Sequence, residues 1–201
     1  MVAALATTVA GAPGADAATV LYDNGSINGT VFAWNITSSY AVEDSFTVAS
    51  DTVATGVNFG AWLDQGATAV ALDWGITTDP TSFAAPNAAS IMTNAVCPDC
   101  GFDAYDIAWD SFSLGQVALI AGTTYYLVLT DATATDGGGV YWDENDGPSI
   151  AFQTNSGRLP GSEAFQIVGA PEPSSWAMIG LGFAGVGFAR FCGRKNVAIA
   201  A

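Results

Sequence analysis

From residue 69 to residue 77 the side chains alternate: Val70, Leu72, Trp74 and Ile76 fall on one side, and Ala69, Ala71, Asp73 and Gly75 on the other. A period of two marks a half-buried β-strand, because successive side chains of an extended chain point to opposite faces. The same period recurs through the chain. Phe32, Trp34 and Ile36 alternate with Ala33 and Asn35, Phe46 and Val48 with Ser45 and Thr47, and Val53, Val57 and Phe59 oppose Gly56, Asn58 and Gly60. With Asp64-Gln65-Gly66 as a turn, 53–62 and 69–77 are expected to pair as a hairpin. Ala121-Gly122-Thr123 opens a further strand rich in aromatic and β-branched residues, and short strands are expected at 140–142, 150–153 and 164–168. The segment 79–100, with Pro80, Pro86 and Pro98, reads as a long loop, and 131–139, ending in three glycines, as another.

One stretch admits two periods. Asp99, Asp103, Asp106 and Asp110 would share one face of a helix, whereas Tyr105, Ile107 and Trp109 alternate as a strand. The strand is preferred over 104–109, since Cys97-Pro98-Asp99-Cys100-Gly101 is a turn and the neighbouring segments are β. Eight or nine short antiparallel strands make the predicted fold all-β: an antiparallel β-sandwich of jelly-roll-like or immunoglobulin-like topology. Half of the 201 residues are hydrophobic, so this is not a disordered composition. Residues 19–170 suffice for one domain with its own core. Before Pro171 there are 18 acids and one base, Arg158, a net charge of −17. Such a surface repels nucleic acid and anionic lipid, and the acids read as a solubilising coat.

The C-terminal segment has a different character. Pro171-Glu172-Pro173 and Ser174-Ser175-Trp176 lead into a Gly-rich stretch, 176–189, that carries no charge. Three of the four Lys and Arg residues, Arg190, Arg194 and Lys195, follow it directly, where positive charge holds a segment end on the cytoplasmic side. At about 1.5 Å per residue the uncharged stretch would be roughly 20 Å long as a helix. This segment, 171–195, resembles the PEP-CTERM sorting signal of Gram-negative bacteria. The resemblance implies a short hydrophobic membrane helix over 176–191, recognition of Pro171, Glu172 and Pro173 by an exosortase, and cleavage near that motif. Residues 196–201 extend beyond the usual ending. The body is only loosely similar to the β-sandwich bodies of such proteins, to which no activity is attached.

Export requires a leader. Residues 2–10 are small and apolar, and Ala15-Asp16-Ala17 has the small-x-small form that signal peptidase accepts, so 1–18 is expected to be a signal peptide cut after Ala17 or Ala18. No basic n-region precedes it, which suggests that Met1 lies within a longer leader.

The chain has no His, and its body has no Lys, which excludes imidazole catalysis and Lys-dependent phosphate loops. Paired carboxylates could hydrolyse glycosides, but the body's three glutamates, Glu43, Glu144 and Glu163, lie in no catalytic motif. Cys97 and Cys100 have redox spacing without a βαβ context, and in an exported body they are expected to form a local disulfide, with two buried thiols as the alternative. Asp143, Glu144, Asn145 and Asp146 cluster hard oxygen donors, which would suit calcium or, alternatively, be a solvated acidic turn; no other cofactor is expected. Trp62, Tyr141 and Trp142 are the aromatic residues best placed to stack on a sugar ring. Together these readings describe a non-enzymatic protein passed from signal peptidase to exosortase and held in the inner membrane during transit. It then reaches the cell surface or extracellular matrix as a structural or adhesive component of a polysaccharide matrix or biofilm. A carbohydrate-binding module is the alternative, and a cryptic glycoside hydrolase the third reading.

Overall fold

The computed structural model describes residues 18–29, 32–97, 100, 104–154, 157–159 and 161–170. The expected signal peptide up to Ala17, the sorting motif, the membrane helix over 176–191, the basic cluster and the extension 196–201 all lie outside the described residues. The strands are β1 (Thr19–Asp23), β2 (Ala33–Asn35), β3 (Ala41–Phe46), β4 (Thr52–Asp64), β5 (Ala69–Thr77), β6 (Asn87–Ser90) and β7 (Met92–Val96), followed by β8 (Tyr105–Leu119), β9 (Tyr125–Ala134), β10 (Tyr141–Asn145), β11 (Ala151–Gln153), β12 (Gly157–Arg158), β13 (Ser162–Glu163) and β14 (Phe165–Gly169). All described pairings are antiparallel, and they form two sheets. One has the order β12-β11-β3-β9-β5-β6. The other is built on β4: β8 pairs along one edge from Thr52 to Asp64, while the other edge takes β14 at 54–59 and β10 at 61–62.

Residues 18–170 form one compact unit. Its core draws on both sheets, with Phe59, Leu63, Phe112, Trp142 and Phe165 from one, and Val42, Phe46, Leu72, Leu127 and Leu129 from the other. Burying such side chains is worth about 1.5–3 kcal/mol each, the usual driving force for pressing two amphipathic sheets together.

Three expectations are corrected. Strands β4 and β5 do not pair; the Asp64-Gln65-Gly66 turn is present, with Ala67 N–H donating to Asp64 O at 2.9 Å, but it carries the chain from one sheet to the other. Val53 does not share the face of Val57 and Phe59. A register shift between Ala54 and Gly56 reverses the alternation, so that Ala54, Val57 and Phe59 are buried and Val53 is exposed. The segment 79–100 is not all loop, because β6 pairs with β5 and β7 with β8.

The second sheet contains a handover that positions the polar residues described below. Residues 162–163 pair with β10, residues 165–169 pair with β4, and Ala164 stands between them. Gly60 N–H donates to Ala164 O at 2.9 Å, and Ala164 N–H donates to Asp143 O at 2.8 Å. The loop 24–29 packs over this junction. A Cβ at Gly60 would run into Ile27 Cγ2 and come within 2.9 Å of Asp143 Cβ. Gly60→Ala is therefore expected to destabilise the body by about 1–3 kcal/mol, read as a lower urea midpoint at unchanged slope.

Candidate functional site

Six acids are buried among the described residues: Glu43, Asp44, Asp110, Asp143, Glu144 and Glu163. The acids of the body are thus not only a solubilising coat. Asp44 lies between Val42 and Phe46 in alternation, and since both flank the core, Asp44 points between the sheets. Its Oδ2 accepts Glu163 N–H at 2.6 Å and Ser149 Oγ–H at 2.7 Å, and its Oδ1 accepts Ser45 N–H at 2.6 Å. Burial pushes its carboxyl up to about 7, against those hydrogen bonds.

Asn24, wholly buried, binds the same point from the loop after β1. Its Nδ2 donates to Glu163 O at 2.6 Å and to Ser149 Oγ at 2.7 Å, and its Oδ1 accepts the Tyr22 hydroxyl at 2.7 Å. Asn145 continues the network, donating to Asn24 O at 2.9 Å and accepting Ser162 Oγ–H at 2.8 Å. Burial, followed by the charges of Asp44 and Asp23, raises the Tyr22 hydroxyl to about 12.

The expected calcium donors do not converge. Residues 143–145 form part of a strand, so Asp143 and Glu144 point to opposite faces. Asp143 accepts the Trp62 indole N–H at 2.5 Å and the N–H groups of Asn28 and Gly29 at 3.0 and 3.2 Å. Glu144 accepts the Trp34 indole N–H at 2.5 Å. Asp146 is exposed. Among the described residues no three His, Cys, Asp or Glu side chains are grouped to hold a metal ion.

The expected stacking tryptophans are enclosed. Trp142 is completely buried, donates its indole N–H to Ala164 O at 3.0 Å and packs edge-on against Phe165. Trp62 is 5% exposed and packs on Tyr105, which in turn packs on the half-buried Tyr141. Trp62, Tyr141 and Asp143 thus come together, and the two tryptophans, Trp62 and Trp142, offer no free flat face to a sugar, while Tyr141 is only partly enclosed.

Cys97 and Cys100 are joined by a disulfide, with a Cα–Cα distance of 5.4 Å. The bond lies against Gly29, where a Cβ would approach Cys100 Cβ to 2.6 Å and Ile107 Cδ1 to 2.7 Å. It thereby backs the loop whose N–H groups serve Asp143.

The remaining buried acids lie apart. Glu43 is on the outer face of β3, opposite Val128 and Phe152, and burial, then the charge of Asp79, raises it to about 8. Burial raises Asp110 to about 6, with the Thr93 hydroxyl working the other way.

Two open cavities meet at Pro148, one of about 530 Å³ and one of about 470 Å³. Asp23, Asn28, Asn145 and Asp146 line the first; Tyr22, Tyr126, Thr124 and Ile150 are among the lining of the second. A third, smaller cavity is lined by Ser38, Asp131 and Gly137 among others. None of the carboxyls raised by burial lines any of the three.

Two measurements check this arrangement. In non-reduced protein, Cys97 and Cys100 should resist thiol labelling, and replacing both with Ala should cost about 2 kcal/mol for so short a loop. Asp143→Ala should cost about 2–4 kcal/mol, because it removes the carboxylate that accepts the Trp62 indole N–H and two backbone N–H groups at a largely buried position.

Comparison with curated proteins finds no match to this chain. Residues 170–195 match the PEP-CTERM protein-sorting motif, which marks the chain as an exported protein addressed to an exosortase and sorted to the cell surface of a Gram-negative bacterium.

Proposed function

We propose that the body serves outside the cell as a non-catalytic structural or adhesive component of an extracellular polysaccharide matrix. The observation that carries this reading is the separation of the acids from the cavities. Carboxyls tuned by burial inside a cleft are the usual sign of acid–base chemistry, yet here they are enclosed between or behind the sheets, where no substrate reaches them. The solvent-facing cavities instead present amides, carboxylates, hydroxyls and tyrosine rings.

The paired cavities at Pro148 favour a second reading, a carbohydrate-binding module. Tyr22 and Tyr126 supply ring surface, and Asp23, Asn28 and Asp146 supply hydrogen-bonding groups suited to vicinal hydroxyls. Among the described residues no Lys, Arg or His lines either cavity, so a neutral glycan suits them better than an anionic one. The groove at Tyr126 takes over the role first expected of Trp62, Tyr141 and Trp142.

A glycan array separates the readings. Selective binding of neutral glycans that falls at least about tenfold in Tyr126→Ala supports the module, whereas no binding across the array supports a purely structural body. Sorting is tested by mass spectrometry of the mature C-terminus in cells with and without the exosortase. The tail from Pro171 onward should be lost only when the enzyme is present; an intact Lys195 in both strains would make the segment a plain anchor.

A further inference from the structure

Three carboxyls converge on the seam between the sheets from three strands: Asp44 from β3, Glu144 from β10 and Glu163 from β13. Glu144 and Glu163 are directly opposite one another across the β10–β13 pair, an arrangement that is repulsive when both are ionised. All three are 4% exposed or less. Asp44 and Glu144 receive only neutral donors, and neither carboxyl oxygen of Glu163 has a hydrogen-bond partner.

Among the described residues the surroundings supply no compensating charge. Glu163 is acted on by Asp44 of the facing sheet and by Glu144 and Asp143 of β10. Beyond Asp44 lie Tyr22 of β1 with Asp23, and, on the other side of β3, Glu43 with Asp79. Every one of these groups is an acid. Arg158, the only Lys or Arg before residue 190, is exposed on β12, and β11 separates it from β3. An ionised carboxylate enclosed without a donor or a counter-ion is among the costliest groups a protein interior can hold.

We infer that Asp44 and Glu163, held against Glu144, form a proton-held latch between the two sheets, closed while these two carry protons and loosened when alkaline surroundings remove them. Burial raises Asp44 to about 7 and Glu163 well above the ordinary glutamate range, with the neighbouring acids adding to the effect on Glu163. In the unfolded chain both titrate near about 4. The folded state therefore holds more protons above that pH, so the contribution is full below about pH 4 and declines as pH rises, and for Asp44 it is lost by about pH 7. For Glu163 the decline continues to higher pH. Glu43 and Asp110 add slopes of the same sign from elsewhere, which replacing Glu163 leaves in place.

The test uses the full chain, melted at intervals from about pH 5 to about pH 9, as wild type, as Glu163→Gln, and as the exposed control Asp146→Asn. Gln copies the shape of the protonated acid without its titration. The wild-type melting temperature should fall by about 5 °C or more across that range, and Glu163→Gln should fall distinctly less and exceed wild type at the alkaline end. Profiles of Glu163→Gln and wild type that stay parallel would overturn the latch. So would a calcium-induced rise at about pH 9 that occurs in wild type and is missing in Glu163→Gln, because a cation would then be the counter-charge. If Glu163→Gln does not fold, infrared spectra of Glu43→Gln, which removes the other strongly raised carboxyl and leaves the latch in place, decide: a protonated-carboxyl band retained at about pH 7 and lost by about pH 9 supports the latch, and its absence at about pH 7 refutes it.

Discussion

The hydrogen bond from Glu163 N–H to Asp44 Oδ2 ties the two sheets together at one end of the sandwich, and much of the surrounding structure is arranged around it. Apolar burial presses two sheets together without direction of its own, and aligns them only through the fit of side-chain shapes. A short hydrogen bond to an inward-facing carboxyl has a single geometry. Asn24 and Ser149 converge on the same point, so the loop after β1 and the segment before β11 are fixed to the seam as well. A half-satisfied polar core is costly, and a joint of this kind trades stability for a defined alignment of the sheets.

The handover at Ala164 explains why polar groups collect there. Where β10 and β4 separate, the 162–169 segment enters between them and pairs first with one and then with the other. Such a junction leaves backbone groups that a regular ladder would satisfy, and the loop 24–29 closes over it at Gly60. Asp143 takes the loop's N–H groups on one side of β10, while Glu144 takes the Trp34 indole on the other. The tryptophans beside these acids act as hydrogen-bond donors inside the body, and contact with the outside passes to the tyrosines and polar loops near Pro148.

The strand period was legible wherever the ladder is regular, as at Trp74 and Phe59. It misled where a register shift inverts the faces, as at Val53, because nothing in the local composition marks which residue is the extra one. Strands β6 and β7 carry little alternation and are largely exposed; pairing with β5 and β8 makes them strands, and that lies beyond a local reading. The run Asp143-Glu144-Asn145 looks like a loop by polarity but is held as a strand by its neighbours. Asp44 could have been found by extending the Phe46 and Val48 alternation one step toward the N-terminus. Its partners could not, since Asn24 is 20 residues away and Glu163 is 119. The sorting motif, by contrast, is a contiguous segment and could be read directly.

The position of β14 bears on how the body withstands a pull. The chain leaves the body at Ala170 from a strand that is flanked on one side by β1 and on the other by β4, not from an open edge. Tension directed along β14 is shared by two ladders loaded in shear, where several hydrogen bonds must break together. An edge strand would peel away one bond at a time. A body tethered by its C-terminus against flow or shear at a cell surface is therefore gripped at one of the mechanically stronger points that its sheet offers.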